Sequence, residues 1–339
     1  MKKNHMFFFT VVALLGTTFS FSVSAQQGSG YKVVKTFHIA SAGGWDYIAV
    51  GPGNNRLYVS HGTQVNILDE TTGDSIGVIP NTAGVHGIAF VPSLGKGYTS
   101  NGRSNNVTVF DVKTNQVLTQ VAVGQNPDAI MYEPFSKTVI TCNGKSNDLT
   151  VFDPLTEKIV ATIAVGGKPE TAVTDNAGKL YVNVEDKNEI VVVNMKTNTV
   201  ENHWSLAPAE GPTGLAIDLT TKRLFAGCDK LLVVMDATNG KIVDKLTIGD
   251  GCDGVGYDSN LKNIFASCGE GQLTVIHQDN SNKYTVIGNV PTKKSARTVA
   301  VNETLHTVYL PAADFGTAAP GERRAPMIPG TFQVLVVQK

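Results

Sequence analysis

Beyond residue 44, apolar and polar positions alternate in short runs separated by turn-forming residues, and the runs recur in a fixed order. The clearest runs are LYVS (57–60), GYTS (97–100), VITC (139–142), LYVN (180–183), LFAG (224–227), IFAS (264–267) and VYLP (308–311). A second series follows the first six: VNILD (65–69), VTVFD (107–111), LTVFD (149–153), IVVVN (190–194), LVVMD (232–236) and LTVIH (273–277). Period-two alternation and β-branched residues predict strands rather than helices. Turns such as DVKTNQ and DATNGK supply the Asn and Gly that tight connections need. No stretch before residue 311 predicts a long amphipathic helix.

Four short strands per unit, repeated about every 40 residues, predict a β-propeller. The expected fold is all-β: seven four-stranded antiparallel blades at approximately 44–82, 83–125, 126–167, 168–211, 212–251, 252–295 and 296–339. The seventh unit ends after three strands, whereas YKVVKTFHIA (31–40) precedes the first unit without partners. Pairing that N-terminal strand into the last blade closes the ring and removes both open edges. Residues 31–339 then form one domain.

The first 25 residues predict a signal peptide. Lys2 and Lys3 precede an apolar Met6–Leu15 segment, and Val23-Ser24-Ala25 is a small-x-small cleavage site. The mature chain, starting near Gln26, is expected in the periplasm or outside the cell, without a transmembrane segment and as a monomer. A net charge of -1 and the lack of a basic, aromatic-rich run argue against a nucleic-acid partner. The four cysteines include no CxxC, which excludes zinc-ribbon and covalent-haem patterns. Cys252 and Cys268 flank the blade 6 hairpin and are the candidate disulfide, with Cys228 as a competing partner.

The Leu-Tyr-Val-Ser/Asn runs and Asp-x-x-Thr turns resemble the YVTN-repeat β-propellers, which include the YncE-like periplasmic proteins. The likeness spans about residues 31–339. It implies the propeller fold and leaves function open, because the architecture is similar to that of lactonase propellers and of the haem-binding propeller of nitrite reductases.

In a propeller, the loops leading into the first strands and out of the second strands open on one face around the central channel. The lead-in dipeptides are Trp45-Asp46, Val85-His86, Pro127-Asp128, Pro169-Glu170, Pro212-Thr213, Cys252-Asp253 and Ala296-Arg297. Asp46, His86, Asp128, Glu170, Asp253 and Arg297 are therefore candidate ligand-binding residues. Around the second-strand exits, His61, Asn101, Arg103, Asn143, Asn183 and Glu185 complete the set. Asp and Asn also serve turns and local backbone bonds, but a structural residue should recur unchanged, and these change from blade to blade. Asp46, His61 and His86 are the candidate ligands for a divalent metal ion, or a general acid–base group. Glu170, Asn183, Glu185 and Asp186 look like the calcium-type site of gluconolactonase propellers, through hard oxygen donors. His38, His203, His277 and His306 read as structural.

Residues 311–331 interrupt blade 7 with a Pro-, Ala- and Gly-rich insert carrying Arg323 and Arg324. It is expected on the same face, as a lid or a surface excursion. No nucleophile elbow or phosphate loop occurs. The expected function is a binding or scaffold protein of the cell envelope, acting on a small molecule or an envelope protein. The alternatives are a lactonase-type hydrolase and a carrier of a non-covalent redox cofactor.

Overall fold

The computed structural model describes residues 1–2, 28–318 and 325–339. The expected targeting segment falls almost wholly outside these residues, as do Arg323 and Arg324. The described chain forms seven four-stranded antiparallel sheets and two single 3-10 turns, Pro92–Leu94 and Glu185–Lys187. No helix among the described residues is long and apolar enough to cross a membrane.

Blade 3 illustrates the common plan, with strands Pro127–Glu133, Thr138–Asn143, Asp148–Phe152 and Ile159–Ala164. Its second strand is buried along its whole length, and its fourth strand is largely exposed. Side chains on both faces of an inner strand meet a neighbouring blade, so those strands read as continuous apolar runs. The outer strand meets solvent and becomes polar. Seven apolar clusters result, one at each blade–blade interface. Each buried Val, Leu, Ile or Phe there contributes about 1.5–3 kcal/mol relative to exposure.

The ring closes through Lys32–His38, which pairs antiparallel with Gln333–Gln338 and completes blade 7 beside Thr307–Ala312 and Ala300–Asn302. Phe37 and Ile39 enter the apolar cluster between blades 7 and 1. Tyr31 packs edge-on against Phe265 of blade 6 and accepts a hydrogen bond from Asn263 Nδ2 at 3.1 Å.

The innermost strands approach closely at the channel. A Cβ on Gly214 would lie 2.5 Å from Val255 N, and one on Gly254 would lie 2.8 Å from Thr298 Cα. The residue after each lead-in position is accordingly small in six blades: Gly87, Ala129, Thr171, Gly214, Gly254 and Thr298. Blade 1 carries Tyr47 there instead. Its ring crosses the channel, and its hydroxyl comes within 3.5 Å of Thr171 Oγ1 in blade 4. Tyr47 caps an apolar cavity of about 150 Å³ lined by Ile88, Ile130, Ile140 and Cys142, and so forms a floor under the channel mouth.

Candidate functional site

Three of the expected residues converge above that floor. His86 Nδ1 lies 2.6 Å from Asp46 Oδ2 and 3.9 Å from Asp128 Oδ1. A carboxylate only accepts, so Nδ1 carries the proton in this arrangement. Backbone bonds within the blade and to neighbouring blades fix the backbone that carries the two carboxylates. Ser60 Oγ accepts from Asp46 N at 2.9 Å, Thr298 Oγ1 donates to Asp46 O at 2.6 Å, and the Ser100 hydroxyl donates to Asp128 O. Gly102 leaves room for the imidazole, since a Cβ there would sit 2.7 Å from His86 Nε2.

Asp128 is only 9% exposed, and no described group donates a hydrogen bond to its carboxylate. Burial, reinforced by the Asp46 charge, pushes it up to about 7, against the pull of His86 and Lys168. Burial alone would lower His86, but its hydrogen bond to Asp46 and the charges of Asp128 and Asp46 hold it above its ordinary value. Both groups are held above their ordinary values by their shared surroundings, so the protonation of Asp128 is linked to that of His86.

Two ion pairs flank it. Arg297 bonds Asp253. Lys168 bonds Glu185 and lies 2.6 Å from Glu170. Burial and the Asp128 charge push Glu170 up, while Lys168 pulls it down. Lys168 was not among the expected residues, although it stands directly before the Pro169-Glu170 lead-in. Tyr47 also escaped, although it is the single large residue in a series of small ones.

The structure does not bring the other candidates to this group. His61 is fully buried. Its Nε2 lies 2.8 Å from Gly43 O and its Nδ1 lies 2.7 Å from Ser41 Oγ, with the ring against Phe332. Both nitrogens are spent and burial lowers its pKa, so Asp128 takes the place expected for His61 in the donor set. Asn101 and Asn143 are buried inside their own blades, bonded to Thr108 and Thr150. Asn183 Nδ2 donates to Gly214 O at 3.0 Å, tying blade 4 to blade 5. Arg103 is exposed. In the sector likened to a calcium site, the Lys168 ammonium stands between Glu170 and Glu185, and Asp186 Oδ1 accepts from Lys168 N at 2.7 Å. Among the described residues, that sector holds no metal-ligating cluster.

The expected disulfide is also corrected. Cys252 and Cys268 are partners in strand register, yet all four cysteines are free, buried thiols. The Cys252 and Cys268 thiols face each other closely enough to hydrogen-bond, and they also approach the carbonyls of Gly254 at 3.7 Å and Ala266 at 3.5 Å.

The described ends of the blade 7 insert pair with each other through Phe315 and Met327. Phe315 then packs on Trp45, directly before Asp46, with ring centroids 5.8 Å apart. The Lys293–Asp314 ion pair at 2.9 Å fastens the base of the insert beside blade 6.

Fold and site together define a seven-bladed β-propeller with a protonically coupled channel mouth. No protein-family model matches the chain, and no curated protein matches it. A chain of the Kuenenia stuttgartiensis hydrazine synthase is similar in structure, with a TM-score of 0.71 and 16% identity, over 80% of this chain and 94% of that one. At that identity the likeness establishes the propeller fold.

Proposed function

We propose that the chain is an exported binding propeller of the cell envelope, of the YVTN-repeat type, whose channel mouth receives a small ligand carrying positive charge. The propeller fold supports a binding or scaffold role in general. The observation that carries the finer reading is Asp128, a carboxylate buried beside Asp46 without a hydrogen bond or a close fixed cation. A buried carboxylate in that state binds a proton or a cation. Lys2, Lys3, the Met6–Leu15 segment and Ala25 support export.

Choline, putrescine and spermidine are suitable probes at pH 8, where Asp128 is ionised. At least one should raise the melting temperature with increasing concentration in the wild type. The same probe should lose that effect in the Asp46→Asn/Asp128→Asn double variant. Equal shifts in both proteins would remove the mouth as the binding face. Recovery of a mature chain beginning at Gln26 in the periplasmic fraction or the medium supports export, and an uncleaved cytoplasmic chain refutes it.

The Asp46–His86 hydrogen bond favours one second reading, a lactonase-type hydrolase using His86 and Asp128 as its acid–base pair. Turnover of simple lactones that disappears in His86→Gln would establish it, and no turnover by the wild type would end it.

A further inference from the structure

We infer that Asp46, His86 and Asp128 form a binding site for one divalent transition-metal ion, with its open coordination positions facing the channel mouth. The inference rests on the reading of that mouth as the binding face and names the cation it holds.

Three observations lead there. The first is the donor set. One imidazole nitrogen and two carboxylate oxygens, all within 4.8 Å of one another, come from the lead-in positions of three blades. An ion with bonds of about 2.0–2.2 Å holds neighbouring donors roughly 3–3.5 Å apart. The two separations from His86 Nδ1, 2.6 and 3.9 Å, bracket that range. Small side-chain rotations therefore suffice. The mixed nitrogen and oxygen set suits Zn²⁺, Co²⁺ or Mn²⁺ better than a calcium site built wholly of oxygen.

The second is charge. Both nearby basic side chains are already engaged, Arg297 by Asp253 and Lys168 by Glu170 and Glu185. The balance within the triad is then -1 with His86 protonated and -2 with it neutral. A divalent ion displaces the Nδ1 proton and neutralises both carboxylates.

The third is Asp128 itself. The residue is 9% exposed and its side chain 13%, its Oδ1 lies 3.9 Å from His86 Nδ1, and no described group donates a hydrogen bond to its carboxylate. Buried carboxylates ordinarily have such partners. Asp46 and His86 alone would form an ordinary ion pair and would leave Asp128 without a role. A metal ion satisfies all three at once.

Tyr47 lies beside Asp128 and Asp46, and Arg297 stands close to all three donors.

The test uses the whole chelator-treated protein and CoCl₂. The wild type should take up one Co²⁺ per chain with visible ligand-field absorption, and its His86 imidazole resonances should broaden or shift. Affinity should rise with pH as His86 and Asp128 release protons. His86→Gln and Asp128→Asn should each weaken Co²⁺ binding at least about tenfold. His203→Gln, on the outer strand of blade 4, should leave it unchanged. Absence of stoichiometric uptake by the wild type, or equal affinity in His86→Gln and Asp128→Asn, overturns the site. The imidazole resonances decide the matter in the wild type even if a variant folds poorly. If an organic amine binds at the mouth and cobalt does not, the metal site falls and the binding face stands. If neither binds, both fall.

Discussion

The outer turns of blades 1 to 5 are built alike, whereas the seven lead-in positions at the channel differ among themselves. In the turns, Asp69, Asp111, Asp153, Asn194 and Asp236 each accept a hydrogen bond from the backbone N–H two residues on, at 2.7–3.0 Å. Backbone bonds from the residue three positions on, Thr72 and Thr114, act first, and with the bonds from two positions on they hold Asp69 and Asp111 below the usual carboxylate range. Four residues after each comes a left-handed residue: Gly73, Asn115, Glu157, Asn198 and Gly240. The backbone demands this chemistry, so it recurs. At the channel, Asp46, His86, Asp128, Glu170, Thr213, Asp253 and Arg297 stand at equivalent places with no common backbone task. Among the described lead-in residues only Thr213 latches its side chain onto the backbone of the next blade, donating to Cys252 O at 2.7 Å. Recurrence marks what the fold requires, and divergence marks where residues are free to serve a ligand.

The largest expected effect lies in the turns. Gly73 has a φ of 79°, and a Cβ there would fall 2.2 Å from Phe37 Cδ1 in the closing strand. Gly73→Ala should cost about 3 kcal/mol from left-handed strain plus displacement of Phe37. Gly53 also has positive φ, but a Cβ on it would meet nothing within 4 Å, so Gly53→Ala should cost only about 1 kcal/mol. Urea unfolding of both variants checks the difference. Equal costs would mean that the turns do not position the seam.

At the channel the sign of the effect reverses. Asp128 binds its proton more tightly in the folded chain than in the unfolded one. Its contribution is therefore fully present below about pH 4 and is lost as pH rises through about 7. His86, also raised, acts in the same direction. A shift of this size corresponds to about 4 kcal/mol for an isolated group, and coupling to His86 reduces it to about 2 kcal/mol. Chelator-treated Asp128→Asn should thus gain about 2 kcal/mol on the wild type between pH 5 and pH 8. Parallel pH profiles of the two proteins would show that Asp128 has an outlet for its charge.

The same contrast governs what the residue pattern discloses. Strand runs and the orphan N-terminal strand foretell the ring, because period-two alternation and edge pairing are local and repetitive. The lead-in positions are legible as a ring that holds Asp46, His86 and Asp128, although the sequence pattern groups His61 rather than Asp128 with Asp46 and His86. The second-strand exits are not. Pro127 pairs with Asn143 in blade 3, whereas Pro169 pairs with Val184 in blade 4. Asn183 is thus one residue out of step with Asn143, and one residue moves a side chain to the opposite face of a sheet. His61 fails as a ligand for another reason: its partners Ser41 and Gly43 lie in a loop about 20 residues earlier in the chain, and no periodicity predicts their return.

The smallest expected effect probes the turns once more. Glu157 occupies the left-handed position at φ 59°, where the other four turns carry Gly or Asn. Its Oε1 binds Lys96 Nζ at 2.6 Å, while Oε2 is buried without a hydrogen-bond partner. Glu157→Asn relieves left-handed strain, which Asn tolerates better than Glu. It also gives up a partly exposed ion pair, worth up to about 1 kcal/mol. These nearly offset each other, so the variant should melt within a degree or two of the wild type, a net change of about 0.5 kcal/mol or less. The matching change at the channel is His86→Asp, which brings blade 2 into line with Asp46, Asp128 and Asp253. It replaces an imidazole by a third carboxylate beside two others, and should destabilise the protein at pH 8 and much less at pH 5. If His86→Asp were as neutral as Glu157→Asn at both pH values, the lead-in residues would be as interchangeable as the turn residues, and their divergence would carry no functional meaning.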